Sequence, residues 1–169
     1  LAHAIAQWLL LIIIIKQFDD FILGQLVLNL SIVSPLFMLF SFKLRSLVVT
    51  DYHNTYSFEQ YLHARVLSQL FVLALLAALL PLLIPQTMLS ITLSVIVFKT
   101  SDGISELCYS YLHKKQFFSR SAISQILRSI TTVVVLSATA YISQKISFTF
   151  YSWALSTACF ALIDIYLAW

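Results

Sequence analysis

The sequence predicts an all-α, polytopic membrane protein built as a bundle of six transmembrane helices. Three observations carry this. Of the 169 residues, 60 % are hydrophobic and only 10 % are charged, whereas a soluble domain is about 25 % charged. The mean hydropathy is +0.93. Apolar runs close to the ~20 residues needed to cross a hydrocarbon core recur along the chain, separated by short polar turns. With two Gly and three Pro, the chain is neither disordered nor a turn-rich β protein. Its apolar runs also lack the in–out alternation of an outer-membrane barrel.

The first helix is expected over residues 1–15, short for a span. The chain opens on Leu1 and closes on Trp169 inside an apolar run, with no signal-peptide pattern before the first helix. This reads as a segment of a longer protein, whose visible bundle would lack the partner of one face. Lys16-Gln17-Phe18-Asp19-Asp20 makes a turn into a second helix over residues 21–42. Pro35 removes one backbone donor from that helix, which predicts a hinge or a static kink. Residues 43–65 form the longest polar segment. Within it, Ser57-Phe58-Glu59-Gln60 has the pattern of an N-cap with a capping box. A helix therefore begins near Phe58 and enters the membrane after Arg65, spanning residues 66–84. Pro81 and Pro85 are expected to bracket a short uncharged turn. The remaining helices are expected over residues 86–112, 121–142 and 146–169.

Basic residues in the loops set the orientation. Lys43, Arg45, Arg65, Lys114, Lys115 and Arg120 flank the second and fourth turns, against Lys16 and Lys145 for the other three. This predicts the second and fourth turns, and the N-terminus, on the cytoplasmic side. At ~1.5 Å rise per residue, Lys99 then lies about 21 Å from the cytoplasmic interface, Glu106 about 10 Å and Arg128 about 14 Å.

The stretch from Lys99 to Arg128 carries the chemistry. Charged side chains at the bilayer centre cost roughly 2.5–3.5 kcal/mol each on insertion scales, so they are paired, face a cavity and mark function. Lys99, Asp102 and Glu106 fall at i, i+3 and i+7 on one face of the fourth helix, and Ser110 extends the stripe. Gly103 among them permits close approach of a neighbour. Val97, Ile104 and Leu107 lie opposite, suited to lipid or to packing. Asp102 and Glu106 lie at depths close to that of Arg128 on the adjacent helix, so a charge pair across the two is expected.

Two readings of these charges stand. In one they neutralise each other as a buried network that fixes helix register. In the other, Lys99, Arg128, Arg65 and Arg45 form a cationic cavity for an anionic headgroup such as a diphosphate, which arginine matches as a bidentate donor. Asp102 and Glu106 then bind H⁺ or Na⁺ and couple transport to an ion gradient. Arg45 and Arg65 also fit simple topology marking near the interface. Asp164, a lone acid near the cytoplasmic end of the sixth helix, is expected to reach the interface, with a role in the bundle interior as the alternative.

Little points to an enzyme. His3, His53, His63 and His113 are scattered without HxxxH or HExxH spacing, so no metal site is expected. Cys108 and Cys159 read as small packing residues. Asp19-Asp20 is a carboxylate pair, but on the outer side and without a complete metal motif. No GxSxG, phosphate-binding loop or CxxC is present. No cofactor and no nucleic-acid partner is indicated.

Three stretches resemble the oligosaccharide flippases of the multidrug/oligosaccharidyl-lipid/polysaccharide exporter superfamily, which move O-antigen or capsule repeat units. They are GQLVLNLSIVSPLFMLFSFKLRSLVVTD from Gly24 to Asp51, FEQYLHARVLSQL from Phe58 to Leu70, and VFKTSDGISELCYSYLHKKQFFSRSAISQILRS from Val97 to Ser129. The resemblance implies two six-helix lobes around a cavity that opens alternately to either side, this chain being the N-terminal lobe and the C-terminal lobe its missing partner. It implies a lipid-linked oligosaccharide substrate, polyprenyl-diphosphate-bound, flipped from the cytoplasmic to the outer leaflet of a bacterial inner membrane during surface polysaccharide biosynthesis. The alternatives are a multidrug or small-cation exporter of the same superfamily, a membrane-embedded polysaccharide-assembly enzyme, or a structural membrane subunit.

Overall fold

The computed structural model describes residues 2–51, 53, 55–83, 89–143 and 145–169. Among them the chain is helical, with no strand. Its helices are α1 (Ala2–Gln17), α2 (Asp20–Leu39), α3 (Leu44–Thr50), α4 (Phe58–Leu83), α5 (Leu89–Lys114), α6 (Phe118–Ser143) and α7 (Ile146–Ala168). Four stretches among the described residues are long and apolar enough to cross a membrane: Asp20–Thr50, Phe58–Leu79, Phe118–Ser143 and Ile146–Ala168. Two of the six expected spans differ. The apolar part of α1, Ile5–Gln17, is shorter than these, while α5 has the length but carries Lys99, Asp102 and Glu106.

Within the polar segment 43–65, α4 opens at Phe58 as expected, and a short helix that was not expected, α3, precedes it. The break between α2 and α3 lies at Phe42 and Lys43, whose φ values of 47° and 49° are left-handed. Such backbone costs a non-glycine residue about 1–2 kcal/mol. Leu44 N donates to Ser41 O at 3.1 Å and Leu47 N to Lys43 O at 3.2 Å, closing the joint and starting the next helix.

At Ser57 the capping box forms as expected. Ser57 N donates to Gln60 Oε1 at 2.9 Å, and Gln60 N donates to Ser57 Oγ at 3.4 Å, satisfying two helix-start donors reciprocally. α2 runs unbroken past Pro35. α4 continues to Leu83, so Pro81 lies within its last turn instead of opening the expected turn. Pro85 and the expected helix start at Gln86 lie outside the described residues.

α5 and α6 are joined by a left-handed helix stop. Gln116, at φ 63°, donates its N–H to His113 O at 2.9 Å, and Phe117 N reaches Leu112 O at 2.8 Å. This paired pattern is the Schellman motif, with glutamine where glycine is usual. His113 Nε2 and Ser121 Oγ, 2.8 Å apart, tie the two helices beside it.

The most polar of the long helices is the central one. α5 packs against α2, α3, α4, α6 and α7, and its buried residues lie on all sides, as expected of a helix enclosed by others. Leu107 is buried, Ile104 half-buried and Val97 exposed, so the face opposite the charges is packing surface in part. Several hydroxyls of α5 donate within the helix, as Ser101 Oγ does to Val97 O at 2.7 Å and Ser110 Oγ to Glu106 O at 2.7 Å, which satisfies those donors without water. Thr92 Oγ1 instead donates to Asn29 Oδ1 on α2 at 2.6 Å.

α7 meets α5 along Phe150, Ala154, Thr157, Ala161, Asp164 and Ala168, all buried. Alternating steps of four and three residues make a continuous seam, and its small members allow close helix approach. One half of the core is apolar: Phe98 stacks on Trp153 with centroids 4.7 Å apart, amid Leu10, Ile14, Leu26, Val95 and Leu136. Outward faces are apolar too, with Trp8, Phe71, Ile130 and Tyr166 exposed. Cys108 is buried in the packing, and Cys159 is exposed.

Outside the spans, Asp51 fastens three elements. Its Oδ2 accepts from Lys114 Nζ at 3.1 Å and from the Tyr61 hydroxyl at 3.0 Å, and its Oδ1 accepts from the Thr55 N–H at 3.0 Å. The Thr55 N–H, then Lys114 and Tyr61, hold the Asp51 carboxyl well below its ordinary range. A depressed folded value means the contribution is complete above the unfolded pKa of about 3.9 and is lost as pH falls below it. Asp51→Asn is therefore expected to lower thermal stability in detergent at neutral pH. The gap from wild type should narrow on acidification; a gap that stays constant with pH would refute the assignment.

Candidate functional site

Charged side chains from α3, α4, α5 and α6 converge on two adjoining cavities in the half of the bundle nearer the α5–α6 turn. The first, about 140 Å³, is lined by Arg45, Asp102, Glu106, Tyr109, Gln125 and Arg128. The second, about 200 Å³, is lined among others by Lys43, Arg45, Arg65, Gly103 and Glu106. Arg45 and Glu106 border both, so the two are neighbouring compartments of one polar region. Lys43, Arg45, Arg65 and Arg128 stand against the carboxylates of Asp102 and Glu106, an excess of positive charge.

Each cation is placed by a nameable local feature. The left-handed joint at Phe42 and Lys43 ends α2 and lets α3 pack on α5; Arg45, on its first turn, remains exposed. Arg65 comes from the second helical turn of α4 and is buried. Its Nε donates to Gly103 O at 3.1 Å, and its Nη2 lies 4.0 Å from Glu106 Oε2. One turn on, Gln69 Nε2 donates to Thr100 O at 2.9 Å. Two buried side chains of α4 thus use the spare lone pairs of carbonyls on α5. The missing Cβ of Gly103 makes this possible, since a methyl there would strike the Arg65 guanidinium and the Gln69 amide.

Arg128, on α6, is 5 % exposed. Its Nη1 lies 3.5 Å from Asp102 Oδ1, the cross-helix pair expected from matched depth. Its Nη2 is buried without a hydrogen-bond partner among the described residues. A buried, unsatisfied charged donor is costly, and this one belongs to a side chain on a cavity wall. The two acids differ: the Glu106 side chain is 48 % exposed and held only loosely by Arg65, whereas that of Asp102 is 21 % exposed.

Lys99 stands apart from this cluster. It lines a different cavity of about 250 Å³ with Leu10, Leu26, Phe98, Leu136 and Trp153 among its walls. Its Nζ lies 5.5 Å from the Phe98 ring centroid, and it makes no ion pair among the described residues. Arg45, Arg65, Arg128, Asp102 and Glu106 are therefore brought together, and Lys99 is not.

Sequence reasoning missed Lys43, Tyr109 and Gln125 on the cavity walls and Gln69 beside Arg65. For Asp164 the interior alternative is the one that fits: it is 1 % exposed. Its Oδ2 accepts from the Tyr109 hydroxyl at 2.8 Å and its Oδ1 from the Ser124 hydroxyl. The seam spacing of α7, with Asp164 seven residues after Thr157, is the signal that marks it as interior.

Among the described residues no three of His, Cys, Asp and Glu cluster as metal ligands. Set against known proteins, the chain matches no protein-family model, no curated protein and no solved structure.

Proposed function

We propose that the chain is one six-span lobe of an alternating-access transporter, which flips a polyprenyl-diphosphate-linked oligosaccharide from the cytoplasmic to the outer leaflet without altering it covalently. In this reading α1 and α5 also cross the bilayer, α5 because its charges face protein and cavity and not lipid. The N-terminus and the α5–α6 turn lie on the cytoplasmic side of a bacterial inner membrane, and a second lobe completes the path. Asp102 and Glu106 answer to the coupling ion, H⁺ or Na⁺.

The observation that carries this reading is the excess of cations around the paired cavities, above all the unpartnered Nη2 of buried Arg128. A diphosphate offers several acceptor oxygens, and guanidinium groups bind such oxygens two at a time. Glu106, loosely held and half-exposed, is the group an arriving anion displaces from Arg65. In a small-cation exporter the acids would have to dominate, whereas here each faces an arginine.

Arg45→Ala is the cleanest test, because the side chain is exposed and makes no ion pair among the described residues. A charge-assisted hydrogen bond contributes about 1.5–3 kcal/mol, so the variant should bind pyrophosphate roughly 10- to 100-fold more weakly than wild type in calorimetry on the purified protein. It should also slow flipping of a polyprenyl-diphosphate disaccharide in proteoliposomes. Unchanged affinity and flipping would remove Arg45 from the site, and an absence of pyrophosphate binding by wild type would overturn the anion reading.

A further inference from the structure

Asp164 is a buried titratable group that the proposed anion site does not use. It belongs to the α5–α7 seam, and both of its oxygens are engaged by hydroxyls, Tyr109 from α5 and Ser124 from α6. No cation lies within ion-pair distance of it among the described residues. Cys108 is its other titratable neighbour on α5, and Phe58 and Tyr111 cover this end of the seam. On α6, Arg128 stands one turn beyond Ser124, directed at Asp102. Asp102, Glu106 and Arg45 lie on the cavity that Tyr109 lines.

We infer that Asp164 carries an exchangeable proton, taken up from the cavity through Tyr109, and that its protonation strengthens anion binding in that cavity. The coupling rests on the anion reading above; the proton site does not. Hydroxyls both donate and accept. Ser124 and Tyr109 can donate to a carboxylate; once Oδ2 is protonated it donates back to the Tyr109 oxygen while Ser124 still donates to Oδ1, so neither state strands a polar group. In the transfer, the Tyr109 O–H gives its proton to Asp164 Oδ2 while the phenol oxygen takes one from hydronium in the cavity. The site gains one proton and releases one water molecule. Neutralising Asp164 removes a negative charge near Arg128 and so raises the cavity's affinity for an anion. By linkage, anion binding raises proton affinity equally.

The test has two arms on the purified full chain. In infrared difference spectra, a protonated-carboxyl C=O band should grow as pH falls, vanish in Asp164→Asn and persist in Asp102→Asn. In calorimetry, Asp164→Asn, fixed in a neutral form, should bind pyrophosphate roughly tenfold more tightly than wild type at alkaline pH and match it at acid pH. Pyrophosphate's own ionisation is common to both proteins and cancels in their comparison. A band that does not titrate, or that survives Asp164→Asn, overturns the proton site. A variant with the wild-type pH profile of affinity overturns the coupling. If the band titrates but neither protein binds pyrophosphate, the anion reading and the coupling fall together while the proton site stands. Should Asp164→Asn fail to fold, Tyr109→Phe serves instead: losing the phenol's hydrogen bond should shift the titrating band, and an unshifted band refutes the relay.

Discussion

Arg128→Ala is expected to lower stability by about 3–5 kcal/mol and to abolish pyrophosphate binding. Removing one member of a buried charge pair leaves the other uncompensated, which is the source of that magnitude. Arg128 is 5 % exposed, and Asp102, 3.5 Å from its Nη1, has no other ion pair among the described residues. The informative variant is the double replacement Arg128→Ala with Asp102→Ala. It removes both charges together, so thermal unfolding in detergent should return most of the way to wild type. Anion binding should not return, because the cation is gone. If the double variant binds pyrophosphate as wild type does, the pair is a register device and the cavity holds no anion through Arg128.

Gly103→Val is expected to be nearly as damaging, through sterics alone. The new side chain meets the Arg65 guanidinium and the Gln69 amide. Both are far ends of flexible chains, but both are buried, at 7 % and 6 % exposure, so there is little room to retreat. Overpacking of this kind costs about 1–3 kcal/mol. The Arg65 bond to Gly103 O is lost with it, loosening α4 from α5 and turning Arg65 from the cavity. Gly103→Ala should show a smaller form of the same defect. Adding Gln69→Ala to Gly103→Ala should restore part of the stability by clearing one of the colliding groups. If Gly103→Val leaves melting temperature and anion affinity unchanged, close approach at this position is not what places Arg65.

What the sequence made legible is what interface residues anchor. Basic residues on both sides of the α5–α6 turn fix where each helix begins, so counting along the two helices gives matched depths for Asp102 and Arg128. The pair follows from that register. The capping box at Ser57 was equally legible, because its chemistry is local. α3 was not: Leu44–Thr50 is too short to show a period, and its start needs left-handed backbone at Phe42 and Lys43, which neither side chain advertises. Lys99 shares a helical face with Asp102 and Glu106, but about 10 Å of axial rise separates it from Glu106. That distance is enough for walls from α1 and α2 to enclose it in another cavity. Asp164 was ambiguous for a different reason. A lone acid near a helix end looks like an interface residue until the neighbouring helix supplies hydroxyl donors, and Tyr109 and Ser124 lie far from it in sequence.

The left-handed joint at Phe42 and Lys43 also governs how the protein fits its bilayer. The stretch Asp20–Thr50 is 31 residues long and includes a window apolar enough to cross a membrane. As one straight rod it would extend about 46 Å, well beyond a hydrocarbon core of about 30 Å. The joint divides it after α2, whose 20 residues match that thickness. Hydrophobic mismatch therefore acts directly on this joint: a thicker bilayer favours straightening it, a thinner one favours its bend. Arg45, two residues past Lys43, moves with whichever side wins. The geometry of the cationic region is thereby tied to membrane thickness, and acyl-chain length becomes a variable acting on a side chain of the proposed anion site.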